Sequence, residues 1–267
     1  MKIFLMADME GSAGILNHDD WVVKNGYLYE KGKRIVTNEL NAAIDGFFAG
    51  GATEVLVCDG HGYGGIDVEL LDERAMIQRG FIGPYPFGLD ESFDAIAWVG
   101  QHPKAATKKG HMCHTGYFNV IDYRINDVSV GEFGQMSFCA IELGVTPIFG
   151  SGCKAFCEEA EALIPGIQTA TVKYGLVDSD GHGLNTDQYM KHTLAAVHLN
   201  PKAACKLIRE NAEKAVKRFI TDPSSFKLPK LTAPYTVDID YRDMGERKAY
   251  SVHKEHPTSV ISCLNSR

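Results

Sequence analysis

The chain has no surplus of positive charge: 27 Lys and Arg stand against 34 Asp and Glu, a net charge of −7. A nucleic-acid partner needs a basic face to neutralise phosphates, so that class of partner is not expected. No apolar run approaches the roughly 20 residues that span a bilayer, so no membrane segment is expected either. The apolar stretch Ile3-Phe4-Leu5-Met6 ends at Ala7-Asp8. It is too short for the core of a secretory signal and reads as a first strand. Seven cysteines, odd in number and irregularly spaced, do not make a disulfide framework in a chain of 267 residues. Internal repeats and low-complexity tracts are missing as well. With 45% hydrophobic and 23% charged residues, the chain has material for a sizeable core. These features point to a soluble, cytoplasmic protein of one large or two modest domains.

Short strand-like runs alternate with helical patterns. Strands are expected at Lys2–Ala7, Thr53–Cys58, Asp94–Val99, Val145–Phe149 and Thr169–Lys173. Helices are expected from Leu28 to Ala49, stopped by Gly50-Gly51, and at Glu132–Leu143, Cys153–Leu163 and Pro201–Ile220. Asn126-Asp127 marks a hairpin turn within Val120–Val130. This alternation predicts an α/β fold of three layers, a mostly parallel sheet with helices on both faces, and a smaller C-terminal α+β part. Residues 1–220 form the expected metal-binding core. The proline-bearing stretch Thr221–Pro234 leads into residues 221–267, with strands expected at Tyr235–Tyr241 and Ser259–Leu264 packed on that core.

Ligands of open parallel sheets bind outside the carboxyl ends of the strands, where loops converge. Here those ends carry Asp8-Met9-Glu10-Gly11, Asp59-Gly60-His61-Gly62 and Gly100-Gln101-His102, and Gly131-Glu132 follows the hairpin. Asp8 and Glu10, two apart at a strand end, point to the same side. Two histidines and three carboxylates form a nitrogen–oxygen set that suits zinc or manganese better than magnesium. Five ligands exceed one tetrahedral site but fit two metals about 3.5–4 Å apart that share a carboxylate, an arrangement that serves hydrolysis. Each of these residues taken singly also has an ordinary structural reading, as a cap or a loop histidine.

In His111-Met112-Cys113-His114, a histidine beside such a site is a candidate acid/base. Cys113 and its neighbouring histidine point apart and make a poor nucleophile pair. His18-Asp19-Asp20 and the run from Asp178 to Gly183 read as solvated loops. Gly60-His61-Gly62-Tyr63-Gly64-Gly65 matches the glycine pattern of dinucleotide-binding turns. It lacks a long helix behind it and a carboxylate about 20 residues on, although Arg79 suits a 2′-phosphate. An NADP-type oxidoreductase is therefore the second reading.

Asp8-Met9-Glu10-Gly11, Asp59-Gly60-His61, Gly100-Gln101-His102, His111-Met112-Cys113-His114 and Ile125-Asn126-Asp127…Gly131-Glu132 together resemble the D-aminopeptidase family of binuclear zinc peptidases. The similarity runs from the first residue to at least Thr171. It implies Asp8 as a metal-bridging carboxylate, Glu10 and His102 as ligands of one zinc, His61 and Glu132 as ligands of the other, and His114 as the catalytic histidine. It also implies a homo-oligomer, a decameric ring, acting on the free amino end of short peptides. Two departures stand out. Gly152-Cys153-Lys154 replaces the family's Gly-Asp-Asp, so Lys154 is expected either to oppose a substrate ammonium or to lie on the solvent face of the Cys153–Leu163 helix. The chain stops at Arg267, where the family continues with a helix beyond the last strand. The expected activity is a zinc aminopeptidase, with manganese as an alternative metal. A non-catalytic, metal-stabilised peptide-binding protein is a third reading.

Overall fold

The chain begins with Lys2–Ala7 (β1), whose Ile3, Phe4, Leu5 and Ala7 are all buried. A strand buried on both faces belongs at the centre of a parallel sheet. The computed structural model, which describes residues 1–80 and 83–266, places it there. His18–Trp21 (α1) and Tyr29–Gly50 (α2) lead to Glu54–Asp59 (β2), then to Met76–Gln78 (β3) and Ala95–Gln101 (β4). The hairpin Val120–Ile125 (β5) and Val128–Ser129 (β6) comes next, followed by Glu132–Glu142 (α3), Thr146–Cys153 (β7), Lys154–Leu163 (α4) and Gln168–Gly175 (β8). Thr186–His192 (α5), Ala196–His198 (β9), Pro201–Thr221 (α6), Tyr235–Tyr241 (β10), Tyr250–His256 (β11) and Val260–Asn265 (α7) complete the chain.

The main sheet has the order β3-β2-β1-β4-β7-β8-β9, parallel except for β9. From β1 the chain builds outward through β2 and β3, then returns to place β4 on the other side of β1. The carboxyl ends of β1 and β4 are thus a topological switch point, where a crevice opens. Alternation sorts the side chains of β1: Ile3 and Leu5 pack with Leu40, Ile44 and Phe47 of α2 and Ile208 and Val216 of α6. Phe4 joins Trp98, Phe133 and Phe156 on the side of α3 and α4. The architecture is the expected three-layer α/β fold. A second, antiparallel sheet of order β11-β10-β5-β6 packs with α7 around Ile125, Val237 and Cys263. In its hairpin, Asn126 and Asp127 both take positive φ (45° and 64°), as a tight primed turn demands.

Several elements differ from expectation. Ser259–Leu264 is not a strand. Ser259 caps α7 by accepting from Ser262 N–H, and Val260, Cys263 and Leu264 bury at helical spacing. The last strand is instead β11, whose Ser-Val-His-Lys-Glu-His sequence is too polar to stand out. β7 continues to Cys153, past the expected Phe149. All seven cysteines are free, and all but Cys205 are buried. Among the described residues, no helix is long and apolar enough to cross a membrane.

Candidate metal centre

The turns after β1 and β4 cross in contact. Asp8 N–H donates to Val99 O at 2.9 Å and Gly11 N–H to Gly100 O at 2.7 Å. A Cβ on Gly100 (φ +78°) would lie 2.1 Å from Asp8 O, and one on Gly11 would lie 2.1 Å from Gln101 O. Only glycine at both positions permits the crossing. It sets Asp8 and Glu10 opposite His102. His61 arrives two residues past β2, and Glu132 opens α3 behind an extended Gly131.

The β1 turn is gripped from behind. The buried Lys173 ammonium donates to Glu10 O and, at 3.1 Å, to Ser12 O. Ala13 N–H donates to Glu39 Oε1 at 2.8 Å and Gly14 N–H to His198 Nδ1 at 3.0 Å, while His111 Nε2 lies 3.0 Å from Leu16 O.

On the open side, Asp8 stands between two imidazoles. Its Oδ1 is 3.3 Å from His61 Nδ1, and its Oδ2 is 3.3 Å from His102 Nε2. Glu10 Oε2 is 3.3 Å from His61 Nδ1, and Glu132 Oε1 is 3.5 Å from His102 Nε2. The donor atoms of Asp8, Glu10 and His61 lie within 4.8 Å of one another, as do those of His102, His114 and Glu132. All six sequence-selected residues therefore meet. Their grouping differs from the one the resemblance implies, since Glu10 lies against His61 rather than His102, and Glu132 against His102 rather than His61. His114 stacks on His102, with ring centroids 3.7 Å apart, and on Phe118 at 4.4 Å.

Each imidazole commits one nitrogen to a backbone carbonyl: His61 Nε2 to Val22 O (2.6 Å), His102 Nδ1 to Pro103 O (3.0 Å) and His114 Nδ1 to Met112 O (2.8 Å). In the neutral ring the other nitrogen then presents a lone pair to the cluster, the usual arrangement behind metal-binding histidines. Without a cation the charges are badly matched. Burial, then repulsion from Glu10, pushes Asp8 up to about 7. Burial opposes protonation of His102, but Glu132 and Asp8 outweigh it and raise the ring to about 10. Glu132 is held at about 2, its burial overcome by His102. His114 goes the other way. Burial, then the neighbouring His102, lowers it to about 4, so it is neutral near pH 7.

The donor set fits zinc. Its members are separated by 3.3–3.5 Å, too far for good charge-assisted hydrogen bonds at about 2.7–2.9 Å. Ligands about 2.0–2.1 Å from a tetrahedral zinc stand roughly 3.3 Å from one another. Glu10 Oε2 and His102 Nε2 are also buried without a well-formed hydrogen bond. These atoms are arranged for a shared cation rather than for each other.

The cluster lies in a cavity of about 600 Å³ whose walls include His18, Met6, Cys58, Trp98, Tyr85, Phe87, Tyr117, Phe118 and Met136. His18, expected in a solvated loop, packs edge-on against Phe118 at 5.5 Å from within α1. Sequence reading misses Met6 and Trp98, yet a signal exists: Met6 lies two residues before Asp8 and Trp98 four before His102, even spacings that share a strand face. His111 is turned away into the Lys173 cluster, and the Cys113 thiol donates to Thr107 O at 3.3 Å, away from His114. Lys154 is exposed, pairs with Glu158 at 3.5 Å and does not line the cavity. Of the two readings of Lys154, the structure therefore matches the solvent-facing one, because β7 outruns its apolar core and sets Lys154 on the outer face of α4. Asp178 pairs with Lys109, away from the site. No helix opens directly behind the Gly60–Gly65 turn to receive a pyrophosphate, so the oxidoreductase reading is not supported.

The family model described as D-aminopeptidase, peptidase M55, matches residues 1–255. The D-aminopeptidase of Bacillus subtilis (strain 168) is 38% identical over 177 residues, 65% of this chain. That match spans 64% of the relative's length, just under two thirds. Among solved structures, the zinc-dependent D-aminopeptidase DppA from Bacillus subtilis, a self-compartmentalizing protease, superposes with a TM-score of 0.82 at 26% identity. The superposition covers 99% of this chain and 94% of that one.

Proposed function

The chain belongs to the D-aminopeptidase family, and from that premise we propose that it is a binuclear zinc aminopeptidase removing the N-terminal residue, D-configured as in its relatives, from short peptides. The observation that carries the proposal is Asp8 standing 3.3 Å from both His61 and His102, with Glu10 and Glu132 flanking. Asp8, Glu10, His61, His102 and Glu132 would hold two ions, the Asp8 carboxylate being common to both. Zinc bound there supplies Lewis acidity, lowering the pKa of water and polarising a carbonyl.

The residues supply the rest. Backbone carbonyls fix the tautomers and planes of His61 and His102, which keeps their lone pairs on the site. Amide hydrolysis needs a proton taken from water and returned to the leaving amine. His114 suits that task. Its Nδ1 is committed to Met112 O, its ring is neutral near pH 7, and stacking between His102 and Phe118 holds Nε2 in place. Nε2 accepts the proton during attack and passes it to the leaving nitrogen. Gly116 N–H, donating to Glu132 Oε1 at 2.8 Å, holds that carboxylate beside His102.

With this goes a homo-oligomeric, decameric assembly, supported by the self-compartmentalizing habit of the structural neighbour. Light scattering on the purified protein should give the mass of a decamer. The decisive assay offers the zinc- or manganese-loaded protein D- and L-aminoacyl amides and short peptides, with N-acetylated versions as controls. Cleavage confined to free amino ends, abolished by a chelator, is the expected result. A panel left uncut by protein carrying two metals per chain would overturn the proposal.

A further inference from the structure

Beneath the donor cluster lies a row of three side chains from three adjacent strands. Met6 of β1 stands in register with Cys58 of β2 on one side and Trp98 of β4 on the other. Strand alternation gives them one face of the sheet, the face covered by α3 and α4, and Asp8 follows Met6 by two residues on the same side. Tyr85 and Phe87, with ring centroids 4.5 Å apart, and Met136 of α3 close over this row, and all six line the cavity. The charged groups thus gather at one end of the cavity and the apolar groups at the other.

Two polar side chains of the apolar end are turned to partners of their own. Gln78 Nε2 donates to Phe87 O at 2.7 Å, and the Tyr85 hydroxyl donates to Gln135 Oε1. Burial, then the charge of Asp59, pushes the Cys58 thiol up to about 12, which keeps it uncharged. A charged side chain entering here would lose its water without an opposite charge among the described residues that line this end. An alanine methyl would leave most of the space unfilled, whereas a large apolar side chain would fill it and contact two thioethers and aromatic faces.

We propose that this end of the cavity is a specificity pocket selecting peptides whose residue beside the scissile bond carries a large apolar side chain, aromatic or branched aliphatic, over alanyl or charged ones. The proposal rests on the peptidase reading for its substrate and adds to it the class of side chain. Cys58, at one end of that row, sets the depth.

Two measurements on the zinc-loaded protein test it. The first is kcat/KM for aminoacyl amides and dipeptides of Ala, Leu, Phe, Glu and Lys in both configurations. Leu or Phe should exceed Ala at least tenfold, in line with the roughly 10–200-fold that a methylene-sized difference commands in an apolar pocket. Glu and Lys should fall below Ala. The second is calorimetric binding of phenylalanine amide against alanine amide to the zinc-loaded His114→Ala protein, which keeps the pocket and turns them over too slowly to matter. Tighter phenylalanine amide with no cleavage of any peptide would keep the pocket and overturn the peptidase reading. Cleavage with Ala equal to or above Phe and Leu would keep the peptidase and overturn the pocket, as would equal binding of the two amides. Cys58→Leu, checked for native thermal unfolding, should reduce the Phe-to-Ala ratio of kcat/KM about tenfold. A ratio unmoved by that change would also count against the pocket.

Discussion

Two buried charged clusters share the turn after β1, and they are built on opposite plans. Behind the turn, Lys173, Glu39, His198 and His111 each engage a backbone group between Glu10 and Leu16, at 2.8–3.1 Å wherever the bond is of ordinary length. In front of it, Asp8, Glu10, His61, His102 and Glu132 face one another at 3.3–3.5 Å and open onto a cavity. The rear cluster directs its hydrogen bonds to the backbone and holds the turn in place, although Glu39 Oε2 and His111 Nδ1 are themselves buried without a well-formed bond. The groups of the front cluster face one another across a gap that suits a cation. Both are rich in charged residues and histidine, so composition does not separate scaffold from reactive site. Partner identity and contact length do.

The comparison is broken most severely at Asp8. If the front cluster is built around two ions, Asp8→Ala should lose both and all measurable turnover, with elemental analysis after dialysis as the check. Full metal content in that variant would end the shared-ligand assignment. His114→Ala should keep its metal and lose turnover by roughly 10²–10⁴-fold, the scale of a positioned acid/base. A matching loss of metal would instead make His114 a ligand.

In the rear cluster, the effects should appear in stability. Burial raises Glu39 from 4.5 to about 7. The folded state thus keeps a proton that the unfolded chain releases, and this contribution is full below pH 4.5 and lost as pH rises through 7. The loss is on the order of 3 kcal/mol. Glu39→Gln, still able to accept from Ala13 N–H, should remove that decline, as urea titrations at pH 5 and pH 7.5 would show. Lys173→Met leaves the carbonyls of Glu10 and Ser12 without their donor and should cost about 1–3 kcal/mol in the same titrations. Protein saturated with zinc should still bind two ions, and loss of all metal would mean that the two clusters are not separable. Smallest of all, Lys154→Asp should leave kcat/KM on neutral and acidic peptides unchanged within the assay error, since Lys154 faces solvent beside Glu158.

Much of this is legible in the sequence. The central strands are continuous apolar runs because both faces are covered, and their ends announce themselves by a carboxylate or histidine beside glycine. Asp8, Glu10, His61, His102, Glu132 and His114 were found that way or by resemblance. The rear cluster was not legible, because Lys173, Glu39 and His198 sit in three separate elements and act on backbone atoms, which leave no trace in side-chain spacing. β11 was hidden by its polarity, and α7 was mistaken for a strand because Val260-Ile261 favours extended chain until the Ser259 cap is considered. The grouping of Glu10 with His61 depends on how two turns cross, which spacing along the chain does not encode.

The seven free thiols give the molecule a built-in set of stopwatches. Only the thiolate reacts with an alkylating reagent. Cys58, Cys139 and Cys157 are all pushed far above their ordinary range by burial, so labelling must wait for the surrounding segment to open. They sit in different neighbourhoods: Cys58 below the donor cluster, Cys157 on the buried face of α4, and Cys139 with Cys263 in the core of the second sheet. The order in which mass increments appear, peptide by peptide, therefore ranks local opening across the molecule. Zinc should slow the Cys58 clock and leave the Cys263 clock running as before.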